Sequence, residues 1–203
     1  MKYIPAILLA YLMGSSSMSW YLSKLKNVNL RAGGSGNLGA SNTVILMGWK
    51  AGVLVAIHDF GKSLLAVILA RLLFPDLPFI GAIAGVASVL GHIFPFYLKF
   101  KGGKGFASFL GMTMALDWKL GLAILLIAAL ITIITDYIVL GTVTTVLSVP
   151  TYLGLTSHSW ILAAILIIAS AVILYKHREN YVRIYNGTEV GLRSASSGKH
   201  RVK

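Results

Sequence analysis

Residues 137–175 form a run of 39 without a single Asp, Glu, Lys or Arg. As a helix rising 1.5 Å per residue, such a run is about twice as long as the ~30 Å hydrocarbon layer of a bilayer. It is therefore predicted to cross twice, with Pro150, Gly154 and residues 156–159 marking the turn. No soluble core absorbs so long an uncharged stretch. The rest of the chain agrees: over its 203 residues it is 57% hydrophobic and 12% charged, where soluble domains carry ~25% charged residues. The fold class expected is an all-α integral membrane protein.

A span needs ~20 apolar residues. Residues 3–23 supply the first; the run is longer than the ~7–15 residues of a signal-peptide core, and Trp20 and Tyr21 stand at its end as interfacial aromatics. Residues 51–70 supply the second, interrupted by Asp59 and Lys62, and residues 77–98 the third. Residues 105–116 make a short fourth, either a pass that starts deep or a re-entrant helix, and residues 120–135 a fifth. With the two crossings of residues 137–175, about seven transmembrane helices are expected. Residues 194–203, SASSGKHRVK, read as a disordered tail or a vector-derived remnant.

Charge fixes the expected orientation. The net charge is +12, from 18 Lys+Arg against 6 Asp+Glu. In a soluble chain that would suggest nucleic acid, but here the cations sit between apolar runs, and no nucleic acid partner is expected. With seven passes, Lys2, Arg71 and Lys119 fall on one side. Fourteen cations (Lys24, Lys26, Arg31, Lys50, Lys99, Lys101, Lys104 and seven past the last span) fall on the other. The positive-inside rule then puts the N-terminus outside and the C-terminus in the cytoplasm. The absence of cysteine excludes disulfides, thiolate nucleophiles and thiolate metal sites.

Three segments on the cationic side carry polar chemistry. Residues 31–42, RAGGSGNLGASN, hold four glycines, two serines and two asparagines. Glycine lets backbone approach a ligand, and Ser and Asn supply donors. Gly34, Gly36 and Gly39 match G-x-G-x-x-G, but that fingerprint needs a strand before it, and here a membrane span precedes it. Residues 91–106, GHIFPFYLKFKGGKGF, place Lys101, Gly102, Gly103, Lys104 and Gly105 before the short fourth helix. Backbone N–H groups at a helix N-terminus, with lysine charge, suit an anion; the Walker spacing fails, so nothing implies nucleotide hydrolysis. His92 in this segment is costly to bury unpaired and is expected to face a polar cavity. Residues 176–189, KHRENYVRIYNGTE, bring His177, Asn180 and Arg183 onto one helix face at steps of three. Asp59 and Lys62, also three apart, are placed to pair inside the second span, either to hold helices together or to serve the site.

Together, GSGNLGASN (residues 34–42), GHIFP with FKGGKG (91–95 and 100–105) and HREN-x-x-R with GTE (177–183 and 187–189) resemble the bacterial acyl-phosphate:glycerol-3-phosphate acyltransferase family, in order and spacing. The resemblance implies a single transmembrane acyltransferase domain over residues 1–193, in the bacterial cytoplasmic (inner) membrane with its active site facing the cytoplasm. It implies transfer of a fatty acyl group from acyl phosphate to the 1-hydroxyl of glycerol 3-phosphate, giving lysophosphatidic acid and phosphate, the first step of phospholipid synthesis. By the same resemblance Ser35, Lys104, His177 and Asn180 would be catalytic. Gly34, Gly36, Asn37, Asn42, His92, Lys101, Gly102, Gly103, Gly105 and Arg183 would bind substrate or phosphate, and Glu189 would be structural. One departure stands out: the family carries an arginine just after the first motif's last asparagine, where this chain has Thr43, Val44, Ile45 and Leu46, leaving Arg31 or Lys50 to take its place.

The chemistry implied needs no cofactor. Acyl phosphate is already activated, so neither metal, coenzyme nor a covalent enzyme intermediate is required. Acyl-coenzyme-A enzymes of the H-x-x-x-x-D type are disfavoured, because the residues five beyond His58, His92, His158 and His177 are Ser63, Tyr97, Ala163 and Val182. Either His177 or a substrate phosphate would take the hydroxyl proton. The expected partners are acyl phosphate, glycerol 3-phosphate and membrane lipids, with no obligate protein partner. The competing reading is a small transporter of lipids or phosphate compounds, which would scatter charges mid-membrane over several spans.

Overall fold

The computed structural model describes residues 1–193; the tail expected over residues 194–203 lies outside the described residues. Among these, ten α-helices and one 3-10 turn follow one another, with no strand. They are α1 (Ile4–Ser15), α2 (Met18–Leu25), α3 (Ala40–Met47), α4 (Trp49–Leu73), α5 (Ile80–Ile93), the 3-10 turn Phe96–Leu98, α6 (Phe106–Leu116), α7 (Trp118–Thr135), α8 (Ile138–Thr156), α9 (Trp160–Lys176) and α10 (Arg178–Tyr185). Four are long and apolar enough to cross a membrane: α4, α5 continued through Leu98, α7 and α8. A fifth appears if α9 and α10, bent by 43° at His177, count as one.

Three expectations are corrected. Residues 3–23 are not one helix: the run of serines from Ser15 to Ser17 breaks it, and Ser17 caps α2 by accepting the Trp20 N–H. Serine hydroxyls compete with the backbone ladder, and two carbonyls at the break find partners elsewhere. Tyr97 Oη donates to the Ser15 carbonyl (2.9 Å) and Lys62 Nζ to that of Ser16 (2.6 Å). Second, Pro150 and Gly154 lie inside α8, buried; the turn is confined to residues 157–159. A spanning helix tolerates proline because packing against neighbours re-satisfies the local backbone. Third, the stretch from Ala40 folds as α3, which the polar composition of residues 31–42 concealed.

Capping explains several of the remaining boundaries. Asp117 accepts from the N–H groups of Lys119 and Leu120 at the start of α7, and Ser159 from Leu162 at the start of α9. Asp136 ends α7 in a left-handed conformation (φ 70°). Its backbone carbonyl accepts the Leu192 N–H and its carboxylate the Arg193 N–H, strapping the segment after α10 across the α7–α8 turn.

α5 is central, packed against α1, α4, α6 and α9. The α1–α5 approach is close because both helices present glycine. A methyl on Gly14 would overlap the Ser88 backbone, and one on Gly91 the Tyr11 carbonyl, as in small-residue packing between membrane helices. Gly91→Val is therefore expected to destabilise the protein by about 1–3 kcal/mol, read as a lower thermal midpoint in a fixed detergent; an unchanged midpoint would show that α1 and α5 are not held this tightly. Outward, α7 exposes Leu122, Leu126, Leu130 and Ile134, the apolar face a bilayer covers.

Candidate active site

The first polar segment is folded by Asn42. This buried side chain, in the first turn of α3, accepts the Ser35 N–H at Oδ1 (2.8 Å). Its Nδ2 donates to the carbonyls of Leu30 (2.8 Å) and Asn37 (3.0 Å). Gly34 and Gly36 adopt φ of 57° and 65°, and a methyl on Gly34 would collide with Asn42 Oδ1. The result is a tight loop that leaves Ser35 exposed.

The second segment folds back onto the end of α5. Gly102 N–H donates to the Ile93 carbonyl (2.9 Å) and Gly103 N–H to that of His92 (3.2 Å). Gly105, at φ 97°, then opens α6 with no side-chain cap, leaving the first N–H groups of α6 for a ligand. Arg31 links the two loops, donating from Nη2 to the Lys101 carbonyl (2.5 Å).

The third segment starts where α9 bends into α10. His177 is buried, and its Nδ1–H donates to the Ile173 carbonyl (2.8 Å), so in the neutral ring Nε2 keeps its lone pair. Asn180 joins the second and third segments. Its Oδ1 accepts a short hydrogen bond from Lys104 Nζ, and its Nδ2 donates to Glu189 Oε1 (2.5 Å). Arg183 Nε donates to Glu189 Oε2 (2.6 Å), while Arg183 Nη2 is buried without a partner among the described residues. Burial, with the Arg183 guanidinium adding to it, pushes the Lys104 ammonium down to about 8 against the pull of Glu189 and Glu179.

These segments enclose one cavity of about 580 Å³. Of the residues singled out in the sequence, Ser35, Lys104, His177, Asn180, Gly34, Asn37, His92, Gly105 and Arg183 line it. Gly36, Asn42, Lys101, Gly102 and Gly103 do not. Asn42 and Gly36 shape the first loop. The Gly102 and Gly103 N–H groups donate to the α5 carbonyls of Ile93 and His92. Lys101 is exposed and uses its carbonyl for Arg31. Neither Arg31 nor Lys50, the two cations left to take the place of the family's arginine, lines the cavity.

Glu189, which the resemblance makes structural, and Asp59, open between packing and the site, also line the cavity, as does Thr142, which the sequence does not single out. Glu189 had a signal, being the one acid in the third motif able to serve both Asn180 and Arg183. Thr142 had none, lying in an uncharged span with its hydroxyl donating to the Ile138 carbonyl. Among the described residues no group of three or more His, Asp or Glu side chains is arranged to hold a metal.

Beside this polar cavity lies a second of about 400 Å³, walled by Val44, Trp49, Val53, Leu110, Leu125 and Ile133. The two share Ala40, Ser41, Ile45, Phe106, Ile138 and Val190. A polar chamber sharing a wall with an apolar groove suits an amphipathic ligand with a phosphoryl head and a hydrocarbon tail.

The profile of the glycerol-3-phosphate acyltransferase family matches residues 4–187. Glycerol-3-phosphate acyltransferase 1 of Oceanobacillus iheyensis is 36% identical, over 96% of this chain and 97% of its own. The glycerol-3-phosphate acyltransferase of Aquifex aeolicus is also 36% identical, over 93% and 98%. Two crystal structures of PlsY (YgiH), described as an integral membrane glycerol 3-phosphate acyltransferase, superpose well. The glycerol 3-phosphate form has a TM-score of 0.88 at 34% identity over 95% of this chain and 96% of that one. The lysophosphatidic acid form gives 0.85 at 33% over 97% and 98%.

Proposed function

Because the chain belongs to the glycerol-3-phosphate acyltransferase family, we propose that its cavity brings acyl phosphate and glycerol 3-phosphate together at the Lys104–Asn180–Glu189–Arg183 network. The protein is an enzyme that acylates glycerol 3-phosphate to lysophosphatidic acid. The observation that carries our reading of the site is the Arg183 Nη2, buried and without a partner among the described residues, on a side chain that lines the cavity together with Lys104. A guanidinium proton left bare in a low-dielectric chamber calls for an anion. A phosphoryl group there would be met by Lys104, Arg183 and the open N-terminus of α6, with its acyl tail in the adjoining groove.

In this reading the 1-hydroxyl oxygen of glycerol 3-phosphate attacks the acyl carbonyl. A new ester C–O bond forms, the bond to the phosphate oxygen breaks, and inorganic phosphate leaves. The hydroxyl proton passes to a phosphate oxygen of the substrates. His177 orients the hydroxyl through Nε2 rather than removing its proton. Behind its Nδ1 stands a neutral carbonyl, not the carboxylate that stabilises an imidazolium in a Ser-His-Asp triad. Lys104, Ser35 Oγ and the α6 N–H groups meet the developing oxyanion. Residues 1–193 form a single acyltransferase domain of seven passes, counting broken α1–α2 as one and short α6 as another. The N-terminus lies outside, and the chamber opens to the cytoplasm at the inner membrane, where the reaction begins phospholipid synthesis. The transport reading is weaker, since the Asp59–Lys62 charges within α4 pair with each other (2.9 Å).

Purified protein in lipid nanodiscs is expected to form lysophosphatidic acid from acyl phosphate and labelled glycerol 3-phosphate without coenzyme A, unaffected by chelator. Product with acyl-coenzyme A alone, or none with acyl phosphate, would overturn the proposed donor.

A further inference from the structure

A second charged cluster lies where α4 and α5 meet the break between α1 and α2. Lys62 is 7% exposed. Its ammonium contacts Asp59 Oδ1 (2.9 Å), the Ser16 carbonyl (2.6 Å) and His92 Nδ1 (2.8 Å). An ammonium has three N–H donors and no acceptor, so all three are committed. Each acceptor belongs to a different element: α4 itself, the α1–α2 break and α5.

This geometry dictates the chemistry of His92. His92 Nδ1 also lies 3.4 Å from Asp59 Oδ1, but the nearer ammonium, at 2.8 Å, has no lone pair for a ring N–H, so Nδ1 accepts and in the neutral ring the proton is on Nε2. That nitrogen faces the loop that carries Lys104: a methyl on Gly103 would overlap His92 Nε2, and the Gly103 N–H is bonded to the His92 carbonyl. His92 and Asp59 both line the polar cavity. Around the pair, His58 Nδ1 lies 3.3 Å from Asp59 Oδ1, its Nε2 3.0 Å from Ser16 Oγ, and Ser108 Oγ donates to the Asp59 carbonyl (3.0 Å). The cluster is thus tied to the scaffold except where His92 and Asp59 meet the cavity.

We infer that Lys62, anchored by Asp59, is a positioning residue for acyl transfer: it locks His92 in the Nε2–H tautomer so that the imidazole donates a hydrogen bond to a phosphoryl oxygen in the cavity. The inference rests on the reading of that cavity as the acyl phosphate and glycerol 3-phosphate site. A pair that only held helices together would affect stability and act independently of His92.

Two measurements test it. With 15N-histidine in the full-length wild-type protein in nanodiscs, the His92 resonances, assigned by their loss in His92→Phe, are expected to show a protonated Nε2 and an accepting Nδ1; a protonated Nδ1 overturns the inference. In kinetics, Lys62→Met is expected to lower kcat/KM by about 10- to 100-fold, the range seen when partners that orient a ligating imidazole are removed. Lys62→Met with His92→Phe should then be no worse than His92→Phe alone, within about twofold; multiplying losses overturn the inference. If Lys62→Met fails to fold with Asp59 left as an unpaired buried charge, the charge-neutral pair Asp59→Asn with Lys62→Met takes its place in the cycle. The tautomer is read without turnover, so it separates failure of this inference from failure of the acyltransferase reading, which would appear as a wild-type protein that makes no product.

Discussion

Replacing Lys104 by methionine is expected to lower kcat/KM for acyl transfer by about 10³-fold, near the upper range for removing one preorganised donor from a developing oxyanion. Lys104 carries one of the two cationic side chains lining the polar cavity whose heads meet in the Asn180–Glu189 network. Methionine preserves the stem and removes the charge, so the fold should persist while Asn180 Oδ1 loses its donor. The same residue sets a pH dependence. In the free enzyme the ammonium is pushed down to about 8, chiefly by burial. Its charged form therefore predominates below pH 8 and is lost as pH rises, so kcat/KM should decline on an alkaline limb centred near 8. Bound phosphate dianion favours the ammonium, so the limb of kcat should lie at higher pH than that of kcat/KM. Lys104→Arg should carry the limb beyond the accessible range, because a guanidinium stays protonated, at lower overall activity. A flat kcat/KM between pH 7 and 9.5 in the wild type would show that the Lys104 ammonium is not held near 8, and the loss in Lys104→Met then stands as the separate test of its charge.

His177→Ala is expected to cost about 10²–10³-fold in kcat, because a misplaced nucleophile loses the near-attack geometry on which transfer depends. The decisive feature is what fails to restore it. If the substrate phosphate takes the proton, neither added imidazole nor a rise in pH should recover turnover. Recovery by either, with substrate binding unchanged, would make His177 the general base and reject substrate assistance. The geometry favours the first outcome. His177 Nδ1–H is anchored on the Ile173 carbonyl within its own helix, an arrangement that fixes ring orientation but offers no charge to an imidazolium.

Much of the architecture was legible residue by residue. The uncharged run 137–175, the apolar runs before it and the one-sided cations report each residue's preference between hydrocarbon and water, a local property. The helices fall where those runs lie, except where local hydrogen bonding intervened: Ser15 to Ser17 broke the first run, and Pro150 failed to break α8. The three polar motifs were equally visible, and their residues meet around one cavity. What composition could not assign was the direction of each donor. Gly102 and Gly103 look like a phosphate loop, yet their N–H groups close onto α5 carbonyls. Asn42 looks like a ligand, yet it is the internal brace that exposes Ser35.

Hydropathy, charge and turn chemistry act over a few residues, so the order of amino acids is enough to specify a bundle of apolar helices with glycine-rich, cationic motifs between them. Helix packing is what lets Lys104 bond Asn180 across 76 positions, brings Glu189 rather than Gly102 to the network, and has Lys62 tie three elements at His92. Those are choices among many chemically equivalent partners. They are settled by which helices pack against one another in three dimensions, not by the preferences of any residue alone.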